Sequence, residues 1–136
     1  MSISINGIAH IQLSVRDFDK ACAFYSELLS FLEMVEVPYQ ENSRYWIGGK
    51  TGIAIVPTSD QQAFDQNVSG LHHFCFRLRS REDVDALYEK CIELGAKMIR
   101  KPSEGSWAEG YYSILFEDPE GIRIEANYVP GKGLLL

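Results

Sequence analysis

The chain lacks any apolar run approaching the roughly 18–20 residues that a membrane helix requires, so no span is expected in its 136 residues. It has few cysteines: Cys22, Cys75 and Cys91, with no CxxC pair. That spacing indicates neither a thiolate zinc site nor a disulfide framework, and free thiols in a reducing cytoplasm are the simplest expectation. Positive charge is also scarce. Thirteen Lys and Arg face nineteen Asp and Glu, for a net charge of −6. With no basic cluster, a nucleic-acid or anionic-membrane partner is not expected. The opening MSISINGIAH has no basic stretch followed by an apolar one, so no signal peptide is expected. What is present is a hydrophobic fraction of 46% and a charged fraction of 24%, enough apolar material for a folded core.

The chain repeats itself. GIAHIQLSV at residues 7–15 aligns with GLHHFCFRL at residues 70–78, so that Gly7 meets Gly70 and His10 meets His73, an offset of 63 residues. The same offset pairs Arg16 with Arg79, Ala23 with Ala86 and Tyr25 with Tyr88. Both segments alternate as strands do. Ile11, Leu13 and Val15 form one face in the first, and Phe74, Phe76 and Leu78 form it in the second. His10 and His73 then fall on the opposite face. By the same alternation His72 points away from His73 and is read as structural.

A helix follows each strand. Asp17 can cap the first, where Ala21, Phe24, Tyr25, Leu28 and Leu29 make an apolar stripe. Ser80 can cap the second, with Val84, Leu87, Tyr88, Cys91 and Ile92 as its stripe and Gly95 as its stop. Cys22 and Cys91 lie inside these patterns and read as small buried residues. Three short strands are expected after each helix, near residues 34–37, 44–47 and 53–56, and near 97–100, 111–116 and 122–128. Asp118-Pro119-Glu120-Gly121 marks a turn before the last strand, and residues 102–110 read as a covering loop. The tail YVPGKGLLL is either a dimer contact or a disordered end.

The stretches GIAHIQLSVRDFDKACAFYSELL, GLHHFCFRL and FEDPEGIRIEANYVP together resemble the vicinal oxygen chelate superfamily. That group includes glyoxalase I, bleomycin- and fosfomycin-resistance proteins, extradiol dioxygenases and methylmalonyl-CoA epimerase. The resemblance runs from Gly7 to about Pro130. It implies an α+β fold of two tandem βαβββ modules forming a glyoxalase-like cleft, with mixed sheets and helices on the outer face. The expected organisation is a single domain over residues 1–136, with module one at about 5–58, a linker at about 59–69 and module two at about 70–130. The family's metal ligands sit on the first and last strand of each module. Carried over one position at a time, they fall on His10, His73 and Glu125. The fourth falls on Val56 when the turns at Gly52 and Gly121 are matched, and Val56 cannot bind a metal.

Two imidazoles and a carboxylate suit Zn, Ni, Mn, Co or Fe(II) and leave coordination positions open for a substrate oxygen. The bland alternative is a Glu125 carboxylate balanced by Arg123 on the same strand face. Arg44, Trp46, Ser113 and Leu115 should line a small-molecule pocket by strand parity, with Trp46 equally readable as core. Cys75, two residues after His73, either touches ligand or, as the simpler reading, packs structurally.

Loss of the Val56 ligand departs from glyoxalase I and leaves Glu125 as the clear candidate catalytic base, with Glu41 or another nearby carboxylate not excluded. Extradiol and fosfomycin-resistance enzymes usually carry a Tyr ten positions before the metal Glu, where this chain has Leu115. Three readings remain open. One is a metal-dependent lyase or isomerase with the metal as Lewis acid, which is preferred. The others are an Fe(II) ring-cleaving dioxygenase and a non-catalytic drug- or metabolite-binding module. A homodimer is expected in each.

Overall fold

The computed structural model describes residues 1–131, in two compact units that divide after Gln62. The apolar tail, read as either a dimer contact or a disordered end, lies largely outside the described residues. In the first unit, β1 (His10–Val15) is followed by α1 (Phe18–Phe31), β2 (Val35–Val37), β3 (Arg44–Gly48) and β4 (Thr51–Pro57). In the second, β5 (Phe74–Arg77) leads to α2 (Arg81–Glu93), β6 (Lys97–Glu104), β7 (Tyr112–Glu117) and β8 (Arg123–Tyr128). The two sheets share one plan, β1-β4-β3-β2 and β5-β8-β7-β6. In each, the first strand runs parallel to the last and the other pairs are antiparallel. This is the expected α+β fold of two βαβββ modules.

The caps act as the side chains suggested. Asp17 accepts from the Lys20 amide and Ser80 from the Asp83 amide, each satisfying a donor that the first helical turn leaves unpaired. Gly95, at φ 72°, takes the left-handed conformation that ends α2. Pairing places Leu13 opposite Ile55 and Trp46 opposite Ile53, on one face of the first sheet. All four are at most 4% exposed, as are Ala21, Tyr25, Leu28 and Leu29 of α1. The second core joins Phe74, Ile114, Phe116, Ile124 and Ala126 to Val84, Leu87 and Cys91 of α2. Burying each large side chain contributes about 1.5–3 kcal/mol. Ile92, expected in the α2 stripe, is instead 51% exposed, because it lies at the edge of the arc that meets the sheet.

Strand pairing corrects two expectations. Arg44 and Trp46 do not share the face of His10. Antiparallel pairing sets them opposite Ile55 and Ile53, so both lie on the core face. Trp46 is 1% exposed, and Arg44 is held by two 2.7 Å hydrogen bonds to Glu36. The vacant fourth ligand position is also reassigned. Cys75 pairs with Glu125 in the second sheet, and its repeat partner Gln12 pairs with Ala54 in the first. Ala54, rather than Val56, is therefore the counterpart of Glu125, since register and not turn matching sets equivalence. Neither side chain can ligate a metal.

Candidate functional site

Glu125 lies on β8, whose entry is fixed by the turn before it. The Asp118 carboxylate accepts from the amides of Glu120 at 2.8 Å and Ile122 at 2.9 Å, and Gly121 supplies φ 86°. Alternation from Ile124, which is buried in the core, turns Glu125 to the opposite face. Pairing puts Cys75, Leu115 and Glu125 in one row of that face, and Arg77, Ser113 and Asn127 in the next. Cys75, Ser113 and Leu115 thus lie on the face of the second sheet that carries Glu125.

Glu125 is only 8% exposed, and its two oxygens are engaged separately. Oε1 lies 3.2 Å from His73 Nε2. Oε2 accepts the Tyr111 hydroxyl and lies 3.6 Å from an Arg100 terminal nitrogen. Asn127 Nδ2 donates to the Tyr111 oxygen at 3.2 Å. Arg123, the alternative counter-charge for Glu125, meets Glu117 at 3.4 Å, because the two are directly opposed across β7 and β8.

His73 sits one residue before β5, so strand alternation does not govern its neighbour. The His72 ring is thus not turned away: the two Nδ1 atoms lie 2.7 Å apart. One of them must carry the proton and the other accept it, which fixes the His73 ring with Nε2 toward Glu125. Two donors on one metal at about 2.0–2.2 Å, with ligand angles of roughly 90–109°, lie about 2.8–3.6 Å apart. The His73–Glu125 separation of 3.2 Å falls within that interval, so the donor pair fits a divalent metal. Among the described residues, no group of three or more His, Cys, Asp or Glu side chains is gathered as a metal centre. His10, in the first unit, is exposed, with its ring 6.3 Å from that of Tyr45.

Burial and the Glu125 charge push the Cys75 thiol up to about 12, and burial first, then the bond to Glu125, raises the Tyr111 phenol to about 12. Both are therefore protonated at neutral pH. Solvent still reaches Cys75, but as a neutral thiol it is a poor nucleophile.

Arg100, Tyr111 and Trp107 were not legible as site residues. Met98 pairs with Phe116, and a regular ladder would place Arg100 opposite Ile114 in the core. The register instead shifts, pairing Arg100 with Leu115 on the Glu125 face. A second shift follows between Arg100 and Ser103, where Pro102 cannot donate to the ladder. Strand β6 thus continues to Glu104, and the expected loop shortens to residues 105–111. The Gly105 amide closes that loop on the Tyr111 carbonyl at 3.1 Å. Trp107 lies over Gly105, where a Cβ would fall on the indole, and its ring centroid is 5.0 Å from that of Tyr111.

The model of the Glyoxalase/Bleomycin resistance protein/Dioxygenase superfamily matches residues 7–126. The chain belongs to this superfamily. Within it, the chain is 30% identical over 124 residues to metallothiol transferase FosB of Shouchella clausii, covering 90% of this chain and 80% of the relative. The structure of a proposed glyoxalase from Bacillus halodurans matches with a TM-score of 0.78 at 26% identity, over 91% of this chain and 96% of that one. The fosfomycin resistance protein FosX of Listeria monocytogenes matches with a TM-score of 0.70 at 25% identity, over 93% and 95%. The superfamily hosts several chemistries on one scaffold, so the reaction is set by the residues of the site and not by the fold. No helix among the described residues is long and apolar enough to cross a membrane.

Proposed function

We propose that this chain is a metal-dependent enzyme acting on a small oxygen-bearing substrate, with His10, His73 and Glu125 as ligands of one divalent ion. The observation that carries the reading is the 3.2 Å approach of His73 Nε2 to Glu125 Oε1, the spacing of two donors on one metal. His10 is the third donor by its repeat equivalence to His73. A bound ion would supply Lewis-acid polarisation of a substrate oxygen.

The chain's own residues supply orientation and proton control. His72 fixes the His73 ring, and Asn127 fixes the Tyr111 hydroxyl against Glu125 Oε2. Glu125 is the group that can take a proton from substrate, at the oxygen Tyr111 holds. Leu115 and Ser113 form the floor beside it. A lyase or isomerase is the preferred class. The likeness to a metallothiol transferase adds thiol addition as a variant that keeps the same Lewis-acid role. Cytoplasmic free thiols and a homodimer belong to this reading. The dimer is supported by the open face of the first sheet, where Val35 is 63% and Ile47 43% exposed.

The test is elemental analysis of untagged protein beside His73→Ala. About one Zn, Ni or Mn per chain, lost in the variant, supports the reading. Iron with dioxygen uptake would move it to ring cleavage. Failure to take up any of these ions, anaerobic Fe(II) included, would leave a non-catalytic binding module.

A further inference from the structure

We propose that Arg100 and Ser113 form an oxyanion-binding subsite beside Glu125, so that the substrate carries a small anionic oxygen group and binds cooperatively with the metal. The cooperative half rests on the metal reading above; the anion-binding half does not.

Arg100 is placed with care and used sparingly. Two register shifts in β6 flank it and bring it out of core register onto the face of Glu125. Among the described residues its guanidinium donates one hydrogen bond, 2.8 Å to Ser113 Oγ. The next acceptor, Glu125 Oε2, is 3.6 Å away, beyond hydrogen-bond length. Among the described residues the buried Nε has no hydrogen-bond partner, an arrangement that is costly for a donor. A guanidinium offers five donors in a planar fork, and its natural complement is a two-oxygen acceptor. The side chain is 31% exposed, so a modest swing brings the fork to an incoming ligand. Trp107, 70% exposed and 5.8 Å from the guanidinium, stands as a wall beside that path.

Charge couples this subsite to the metal position. Arg100 now leans on the Glu125 carboxylate for its counter-charge. When Glu125 ligates a dication, that counter-charge is spent and two cations are left as neighbours in a partly buried place. An anionic group on Arg100 removes the repulsion. Metal and anion then strengthen each other, as linkage requires.

The full chain, metal-free and with Mn2+, is titrated with sulfate and with acetate at constant ionic strength. Tryptophan fluorescence reads binding, because Trp107 is 70% exposed beside Arg100 while Trp46 is 1% exposed; Trp107→Phe confirms the reporter. The expected result is a saturable change in the metal-free protein, lost in Arg100→Gln and weakened about fivefold or more in Ser113→Ala and Arg100→Lys. Sulfate or acetate should also tighten Mn2+, read by electron paramagnetic resonance, by about fivefold or more in the wild type and not in Arg100→Gln. Preference for sulfate assigns a tetrahedral oxyanion and preference for acetate a carboxylate. Thermal melts check folding, and if Arg100→Gln does not fold, the other two variants decide. No saturable anion binding, or binding of equal strength without the Arg100 fork, overturns the subsite. If no Mn2+ binds, the metal reading falls and the metal-free titration alone decides.

Discussion

Tyr111 donates its hydroxyl to Glu125 from fourteen positions earlier in the chain, and Asn127 donates to the same hydroxyl oxygen at 3.2 Å. The carboxylate is thereby pinned through Oε2 while Oε1 faces His73. Tyr111→Phe removes both hydrogen bonds at once and leaves the ring in place. It should cost about 1–2 kcal/mol of stability in the metal-free protein. Mn2+ affinity should fall severalfold, because Glu125 is no longer held through Oε2 with Oε1 toward His73. Urea denaturation and a Mn2+ titration check the two halves. Unchanged or tighter metal binding would show that Tyr111 competes with the ion for Glu125 rather than holding it ready.

Asp118 is 5% exposed and accepts from two backbone amides, so its carboxylate organises the turn that delivers β8. Asp118→Ala strands those donors and should cost about 1–3 kcal/mol. Metal uptake should fall with it, since Glu125 lies further along the same strand. Denaturation midpoints and elemental content measured on one preparation test this; full metal content in a destabilised variant would separate the turn from the site.

Gly52 pairs with His10 across β1 and β4, and a Cβ at Gly52 would fall on the Tyr45 ring. Gly52→Ala should therefore displace Tyr45 and destabilise the first unit by about 1–3 kcal/mol. The ring of His10, 6.3 Å from that of Tyr45, should show shifted proton resonances. An unchanged His10 spectrum would argue that Tyr45 does not shape its surroundings.

Burial pushes the Cys91 thiol from its ordinary 9.0 up to about 12. Between those values the unfolded chain has lost a proton that the folded chain keeps. Stability therefore declines as pH rises from about 9 to about 12 and is unaffected by this group below about 9. Cys91→Ala should flatten that part of the pH–stability curve, measured by urea denaturation. An unchanged slope would assign the alkaline loss to other groups.

Periodicity made much of the fold legible. Caps at Asp17 and Ser80, the α1 stripe and the alternation in both first strands are local signals, and each element formed near its expected position. Parity failed at Arg44 and Trp46, because which face a strand presents depends on its partner's register. Arg100 lies off a regular ladder, which would have buried its side chain. Nothing local announces a bulge at Ile99, although Pro102 is a signal for the second irregularity.

The amino-acid sequence by itself determined the two-module plan and the superfamily. These rest on side-chain period, capping and repetition, which act over a few residues. Tertiary structure decided that Ala54 stands opposite Gln12 where Glu125 stands opposite Cys75, and that His72 meets His73. It also decided that Arg100 and Tyr111 converge on one carboxylate. These are long-range pairings and small register shifts. Their free energy comes from neighbours distant in the chain, so no local pattern of residues encodes them.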